Sequence, residues 1–388
     1  MNLLELQNQF KVLFNEEASH KFFAPGRVNL IGEHIDYNGG LVFPCAITLG
    51  TYALVSVRED KNFAVYSENF KELGTMNLSL HNLDFKKEDN WTNYLKGVLK
   101  YLLEADYEIT HGLNILVYGN IPNGSGLSSS ASLEILLSKV FSTLYDLELK
   151  PTEMALLGKK VENEYMGVSS GIMDQFAIAL GQENSALLLN CGTQDFEHIP
   201  FKLDDYQIVI MNTNKRRELA DSKYNERFNE CTQALKILQD TYPHIKAICD
   251  LGEKELATLD SILTNPILYK RAKHAISENL RVISATKALA SNDLVTFGKL
   301  LNASHTSLKE DYEVTGKELD TLVSAALEEE GTLGARMTGA GFGGCAIAIV
   351  QNDKVSDFMK HVGDKYEAAI GYPATFYIAS IGNGPSEL

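Results

Sequence analysis

The sequence contains few cysteines, five in 388 residues, and they lie far apart without a CxxC motif. A disulfide framework or a zinc site requires paired or clustered cysteines, so both are disfavoured. Such spacing is typical of a protein in a reducing cytosol, where most cysteines act as buried small hydrophobic side chains. We therefore expect a cytoplasmic protein without disulfides.

Basic residues are also scarce: 35 Lys and Arg stand against 51 Asp and Glu, and the net charge is −16. The densest basic cluster, Lys215-Arg216-Arg217, is too short to bind a polyanion along a track. This balance disfavours nucleic acid and anionic membranes as partners. No apolar run approaches the ~20 residues that a membrane span needs, and the first ten residues lack the pattern of a signal peptide.

The stretch Ile121–Leu137, IPNGSGLSSSASLEILL, lacks the Lys-Ser/Thr pair of a Walker A motif, which excludes an ordinary P-loop NTPase. It nevertheless joins a strand predicted at Leu113–Tyr118 to a helix predicted at Ser128–Leu144. The glycines let the backbone approach a ligand, and a helix N-terminus favours an anion. A serine-rich helix cap is the alternative, although Gly-x-Gly and three serines exceed what a cap needs. A phosphate loop here would need its countercharge from a metal or a distant basic side chain.

The stretch Arg336–Gly344 formally contains GxGxxG, but the strand-like run Cys345–Val350 follows it. A dinucleotide fingerprint requires a helix at that point, so the match is misleading. Two interpretations remain open. The stretch is either a tight hairpin between two strands or a backbone surface that faces a ligand.

The segment Gly32–Gly40 concentrates five polar side chains between apolar strands. An exposed turn is one interpretation, since Asn-Gly is a turn signal. The other is recognition of several hydroxyls on one small polar molecule, because Glu33, His34 and Asp36 offer donors and acceptors close together. A metal site would lack a second cluster of His or Cys.

Two carboxylates lie in predicted helices. Asp174 follows Ser169-Ser170-Gly171 in a first helical turn, where it could either complement the helix dipole or act as a base in a desolvated site. Glu162 shares a helix face with Ala155, Gly158 and Met166, which leaves room for another group beside it. On sequence alone, metal binding is not the favoured role of Glu162.

The order of predicted elements argues for an α+β protein, since strands and helices occur in each half without regular βαβ alternation. We predict two domains, 1–195 and 196–388. The first begins with an amphipathic helix at Leu3–Leu13 and a turn around Pro25–Ile31. The second is mostly helical over 223–330 and ends as strand, glycine-rich turn, strand, helix and strand.

Three stretches together resemble the GHMP small-molecule kinases: Pro25–Gly40 (PGRVNLIGEHIDYNGG), Gly126–Leu133 (GLSSSASL) and Arg336–Ala348 (RMTGAGFGGCAIA). The first resembles the signature of the galactokinase branch in particular. The sequence departs from it at Ile35, where the family more often has Thr. The resemblance implies a two-domain fold, with an N-terminal domain like domain 2 of ribosomal protein S5 and a ferredoxin-like C-terminal domain. It also implies transfer of a phosphoryl group from ATP to galactose, the two expected partners. Separately, we expect the protein to be a monomer.

The same resemblance implies a role for individual residues. Sugar binding is assigned to Glu33, His34, Ile35, Asp36, Gly171 and Tyr224. ATP binding is assigned to Ser67, Trp91, Gly124, Ser125, Gly126, Leu127, Ser128, Ser129 and Ser130. Ser130 and Glu162 would hold Mg²⁺, Asp174 would be the general base, and Arg27 would stabilise charge on the transferred group. The turn Arg336–Gly344 would close over sugar and phosphate.

Two other functions compete with this interpretation. One is a kinase for a related sugar such as N-acetylgalactosamine. The other is a non-catalytic galactose and ATP sensor on the same scaffold. Sensor relatives are altered in the serine loop, whereas Ser128–Ser132 is intact in this sequence.

Overall fold

The computed structural model describes residues 1–121, 126–168, 170–215 and 220–388. The elements of the N-terminal half are α1 (Leu3–Phe14), β1 (His20–Asn29), β2 (Leu41–Val42), β3 (Pro44–Val57), β4 (Asn62–Ser67), β5 (Met76–Ser79), α2 (Thr92–Glu104), β6 (Leu113–Gly119), α3 (Ser129–Leu144), α4 (Pro151–Lys160), α5 (Met173–Ala179), β7 (Ser185–Asn190) and β8 (Phe196–Pro200). Those that follow are β9 (Tyr206–Asn212), α6 (Ala220–Thr241), α7 (Glu253–Leu256), α8 (Leu259–Ile262), α9 (Pro266–Ala290), α10 (Leu294–Ser307), α11 (Gly316–Leu327), β10 (Thr332–Thr338), β11 (Cys345–Gln351), α12 (Val355–Ile370), β12 (Thr375–Ala379) and β13 (Ser386–Glu387).

A six-stranded sheet in the order β13-β1-β3-β6-β4-β5 forms the first part of the structure. Alternate side chains of its strands face opposite sides, as the pleat requires. On one side, Val55 and Ile115 join the main core with helices α2, α3 and α5. On the other side, Leu54 and Leu116 pack against the predicted amphipathic helix α1. The prediction of that helix is confirmed.

Strand β1 differs from the prediction of a turn around Pro25–Ile31. The segment His20–Asn29 pairs with β3 along its whole length, and the register shifts between Pro25 and Gly26. The proline and glycine that indicated a turn lie at this bulge. A bulge tolerates proline, which has no N–H, and it bends the strand. A Cβ on Gly26 would lie 2.9 Å from the Leu127 carbonyl oxygen, so glycine lets β1 pass close to the serine-rich loop.

A four-stranded antiparallel sheet in the order β10-β11-β9-β12 forms the second part of the structure. Its central strand β11 is buried from Cys345 to Val350, which explains the continuous apolar run in the sequence. The glycine-rich segment before it is a hairpin turn between β10 and β11. The α+β fold class is confirmed, and the hairpin interpretation of this segment agrees with the structure.

A small sheet of β2, β7 and β8 joins the two parts. Strand β8 pairs with β7 from Ser185 to Leu189. The domain boundary at 195/196 stays a prediction, and the β7–β8 hairpin carries the chain across that point. None of the helices in the described ranges has the length and apolarity that crossing a bilayer would take.

Candidate active site

A cavity of about 280 Å³ lies where the two parts of the chain meet. Most of its lining comes from the Glu33–Asp36 turn after β1, the N-terminus of α3, the segment leading into α5, and the β10–β11 turn, and single residues come from β1, the Val161–Tyr165 turn and α6. Its lining side chains and backbone groups come from Arg27, Glu33, His34, Asp36, Gly126, Ser128, Ser129, Ser130, Glu162, Val168, Ser170, Gly171, Met173, Asp174, Tyr224, Gly339 and Ala340. Most of the predicted sugar-binding and catalytic residues are therefore neighbours.

Arg27 and Asp174 form a bidentate ion pair within this cavity. The Arg27 Nε and Nη2 atoms each donate to one Asp174 carboxylate oxygen at 2.9 Å, and Nη1 donates to the Gly126 carbonyl at 2.7 Å. Burial alone would lower the pKa of Arg27, but Asp174 and Glu33 outweigh it and raise that pKa. The guanidinium therefore carries a full positive charge between the base candidate and the serine-rich loop.

Ser128 does not cap helix α3 through its side chain. It stands before the first residue of α3 with a left-handed φ of 62° and makes no capping hydrogen bond. Its hydroxyl donates instead to Asp174. The capping interpretation is therefore wrong for Ser128. Of the predicted loop residues, Gly124 and Ser125 lie outside the described residues, while Leu127 accepts a hydrogen bond from the Arg27 N–H at 3.3 Å.

Gly171 and Asp36 fit together in the wall of the cavity. A Cβ on Gly171 would lie 1.6 Å from an Asp36 carboxylate oxygen, so only glycine leaves space for that carboxylate. Burial, followed by the charge of Asp174, raises the pKa of Asp36 to about 7. Ile35 is fully buried beside Gly40 and is not among the residues that line the cavity, which does not support its predicted contact with substrate.

Glu33 and His34 are fixed by the glycine-rich turn. Glu33 accepts hydrogen bonds from Arg336 Nη2 at 2.9 Å and from the Gly339 N–H at 3.0 Å, and burial raises its pKa. Both ring nitrogens of His34 have protein partners, Tyr37 at 2.9 Å and the Ala340 carbonyl at 3.1 Å. A hydrogen bond from His34 to a sugar would therefore replace one of these two. The turn faces the cavity through Gly339 and Ala340, and its contact with a ligand stays a prediction.

Ser130 and Glu162 lie together at the edge of the cavity. The Ser130 hydroxyl donates to one Glu162 carboxylate oxygen at 2.6 Å, and the Ser170 hydroxyl donates to the other at 2.8 Å. Glu162 belongs to a π-helical turn, Val161–Tyr165, that replaces the predicted regular helix. Such turns occur frequently at functional sites. The space that Gly158 leaves is used by Glu134 and Gln175.

This pair of oxygen donors fits Mg²⁺. Mg²⁺ prefers hard oxygen ligands and is commonly held by one or two carboxylates together with substrate phosphates. The part of the chain that the structure describes contains no group of three or more His, Cys, Asp and Glu side chains arranged to hold a metal. Among the described residues, protein side chains alone therefore do not complete a metal site.

A second cavity of about 450 Å³ adjoins the first and shares Ser129 and Ser130 with it. The predicted nucleotide contacts Ser67 and Trp91 both line it. Its other lining residues, which sequence reasoning did not find, include Asn69, Phe70, Phe85, Lys87, Asn90, Tyr94 and Met166. Aromatic and apolar side chains around a few polar groups are typical of a site for a planar base.

Helix α9 lies in the region predicted to be helical, but sequence reasoning missed that it supports the Glu33–Asp36 turn from behind. His274 lies 3.0 Å from the Glu33 carbonyl, and Glu278 accepts hydrogen bonds from the Gly32 and Glu33 N–H groups at 2.9 and 3.4 Å. Burial alone would raise the pKa of Glu278, but Arg281 and His274 outweigh it, and the pKa falls to about 2. The spacing of four residues between the two side chains was the only sequence signal for this support.

Comparison with known proteins places this site in a family. The galactokinase galactose-binding signature matches residues 8–57, the N-terminal domain of GHMP kinases matches residues 93–182, and their C-terminal domain matches residues 285–367. Galactokinase of Clostridium perfringens is 57% identical over 388 residues, which cover 100% of both chains. Galactokinase of Levilactobacillus brevis is 52% identical over the same coverage.

Solved structures give the same result. The crystal structure of Lactococcus lactis galactokinase complexed with galactose matches with a TM-score of 0.96 and 51% identity, covering 100% of both chains. A mevalonate kinase structure matches with a TM-score of 0.68 at 23% identity over 94% of this chain and 100% of that one, which shows the shared fold alone. The resemblance seen in the sequence is confirmed. The chain belongs to the galactokinase family of ATP-dependent sugar kinases.

Proposed function

We propose that the chain transfers the γ-phosphoryl group of ATP to the C1 hydroxyl of galactose, which gives galactose 1-phosphate and ADP. The observation that carries this proposal is the meeting of two cavities at Ser129 and Ser130. One cavity presents carboxylates suited to sugar hydroxyls, and the other is lined by Trp91 and further aromatic side chains. A phosphoryl group held at the shared serines lies between donor and acceptor, which is the positioning that this chemistry needs.

The roles of the residues follow from their contacts. Glu33 and Asp36 accept hydrogen bonds from sugar hydroxyls, with His34, Gly171 and Tyr224 completing the wall of the cavity. We assign the phosphate loop to Gly126–Ser130, to which the sequence resemblance adds Gly124 and Ser125, outside the described residues.

Asp174 takes the proton of the C1 hydroxyl, while Arg27 neutralises charge on the transferred group and holds the carboxylate in place. Mg²⁺ held by Ser130 and Glu162 would neutralise charge on the ATP phosphates, which supplies the countercharge that the absent Walker lysine would otherwise give.

We also propose that the enzyme acts as a cytoplasmic monomer with domains 1–195 and 196–388. The widely spaced cysteines support a reducing compartment.

The test is ADP formation with galactose, glucose and N-acetylgalactosamine as acceptors, with mass spectrometry of the product. Galactose 1-phosphate formed in preference to the other sugar phosphates supports the proposal. Preference for N-acetylgalactosamine would identify the related kinase instead. Binding of galactose and ATP without any sugar phosphate would identify a sensor.

A further inference from the structure

A buried chain of hydrogen bonds runs behind the sugar cavity and ends at the glycine-rich turn. The Cys231 Sγ lies 3.0 Å from the Tyr312 hydroxyl, which lies 2.9 Å from the Tyr37 hydroxyl. The Tyr37 hydroxyl lies 2.9 Å from His34 Nδ1, and His34 Nε2 lies 3.1 Å from the Ala340 carbonyl oxygen. This series of hydrogen bonds thus links α6, the segment after α10, the Glu33–Asp36 turn and the β10–β11 turn.

The direction of every bond in this chain can be assigned. A carbonyl oxygen only accepts, so His34 Nε2 must carry the hydrogen that it shares with Ala340. Burial, followed by the charge of nearby His274, lowers the pKa of His34 to about 3, so the ring is neutral and Nδ1 is an acceptor. Tyr37 therefore donates to His34.

The same reasoning fixes the hydrogens behind Tyr37. Its single hydroxyl hydrogen is used on His34, so the Tyr312 hydroxyl must donate to Tyr37 and accept from the Cys231 thiol. Burial raises the pKa of Cys231 to about 11, which keeps the thiol proton in place. The two tyrosine hydroxyls and the His34 ring each donate once and accept once, while the Cys231 thiol donates at one end and the Ala340 carbonyl accepts at the other.

We propose that Tyr37 is a positioning residue that holds His34 as its Nε2–H tautomer, through which His34 fixes the glycine-rich turn over the sugar cavity. The proposal rests on the proposed function, because it assigns that cavity to galactose. The contact matters for binding because Ala340 follows Gly339, whose N–H group donates to the sugar-binding carboxylate of Glu33. A His34 ring protonated at Nδ1 would turn a lone pair toward the Ala340 carbonyl and lose this attachment.

The Tyr37 ring also packs against Tyr224 and Phe228, with ring centroids 5.5 Å apart in both pairs. A role in packing alone must therefore be separated from a role of the hydroxyl. Tyr37→Phe makes that separation, because it keeps the ring and removes the hydrogen bond. Tyr145→Phe is the matched control, since its hydroxyl donates to the His111 carbonyl at 2.7 Å, far from the residues of the cavity.

The first measurement is the 15N spectrum of the histidines, with His34 assigned by a His34→Gln variant. We expect wild-type His34 to be protonated at Nε2 with a hydrogen-bonded Nδ1, and the Nδ1 resonance of Tyr37→Phe to move to that of a nitrogen without a hydrogen bond. Protonation of wild-type His34 at Nδ1, or an unchanged Nδ1 resonance in Tyr37→Phe, would overturn the proposal. The 15N spectrum does not require turnover, so its result is independent of the proposed activity.

The second measurement is steady-state kinetics. We expect Tyr37→Phe to raise the galactose KM about three- to tenfold, the range for one lost neutral hydrogen bond, with kcat and the ATP KM within about twofold of wild type. Tyr145→Phe should leave all three constants unchanged. A decrease in kcat together with equal increases in both KM values would indicate general damage to the fold and would contradict a positioning role.

Discussion

Arg336 and Glu33 form a fully buried ion pair at 2.9 Å, although 303 residues separate them in the sequence. Arg336 also donates to the Asn29 carbonyl at 3.0 Å, so it binds both the end of β1 and the first residue of the sugar-binding turn. The pair therefore attaches the glycine-rich hairpin to the strand that carries Arg27. The proposed sugar site and the stability of the fold therefore depend on the same contact.

Removing the charge of Arg336 should destabilise the protein strongly. Arg336→Met keeps an extended side chain but leaves the Glu33 carboxylate buried without its partner, which costs about 3–5 kcal/mol. The measurement is the free energy of unfolding in urea. The control is Lys11→Met, which breaks an exposed pair with Glu17 and should cost less than about 1 kcal/mol. Equal losses in the two variants would refute the importance of the buried pair.

Asp174→Ala should lower kcat by about 10²-fold or more, the range for a general base. The variant also leaves Arg27 without its bidentate partner, so the phosphate-facing charge is no longer held in place. Turnover is measured at saturating galactose and ATP. Asp357→Ala is the control, because Asp357 also lies in the first turn of a helix but is exposed. Near-normal turnover of Asp174→Ala would remove Asp174 from the catalytic residues.

Glu162→Ala should raise the Mg²⁺ concentration needed for half-maximal activity by at least about tenfold, since it removes the one carboxylate that Ser130 touches. Binding of Mn²⁺ followed by electron paramagnetic resonance should weaken in parallel. Glu164→Ala changes an exposed neighbour two positions on and should affect neither measurement. An unchanged Mg²⁺ titration in Glu162→Ala would count against a ligand role.

Gly171→Ala should abolish tight galactose binding. The added methyl group would lie 1.6 Å from the Asp36 carboxylate, so Asp36 must leave its position. Calorimetry with galactose should show at least a ~10²-fold loss of affinity, because a neighbouring sugar-binding group is displaced. Gly252→Ala is the control, since its Cβ would meet only Glu255 Oε2 at 3.7 Å. Binding unchanged by Gly171→Ala would show that Asp36 is not a sugar contact.

Galactose affinity should increase with pH between about 6 and 8. Burial, with the charge of Asp174, raises the pKa of Asp36 to about 7. Below that pH the carboxyl group is protonated and accepts hydrogen bonds poorly, whereas above it the carboxylate accepts them strongly. If only the ionised form binds, Kd should rise about tenfold for each pH unit below the pKa.

Asp36→Asn tests the assignment of this pH dependence, because an amide does not titrate. Its galactose Kd should be higher than that of the wild type above pH 7 and nearly constant from pH 6 to 8. A wild-type slope that persists in Asp36→Asn would assign the titration to another group.

Local sequence patterns predicted the parts of this protein that local physics decides. The amphipathic spacing of Leu3–Leu13 gives α1, and the apolar run Cys345–Val350 gives the buried strand β11. The polar group Glu33, His34 and Asp36 lines a cavity because no apolar partner could bury such a turn at low cost. These predictions needed no knowledge of distant contacts.

The remaining features depend on contacts that no sequence window contains. Pro25 and Gly26 indicate a turn locally, but pairing with β3 converts them into a bulge. Ser128 is an ordinary helix cap by residue type, but Asp174, 46 residues later, takes its hydroxyl. The support of the Glu33 backbone by His274 spans 241 residues and could not be read from either segment.

The position of Arg336 and its hairpin near the far end of the chain has a consequence for biosynthesis. The ribosome completes Glu33, Asp36 and Ser130 early, and the domain that carries them begins to fold first. Arg336 and Gly339, the partners of Glu33, leave the ribosome 303 and 306 residues after it. A nascent or prematurely terminated chain therefore carries the phosphate loop without a finished sugar site. We therefore expect no phosphorylation of galactose by a nascent chain until its synthesis is nearly complete, and none by a chain that ends before Arg336.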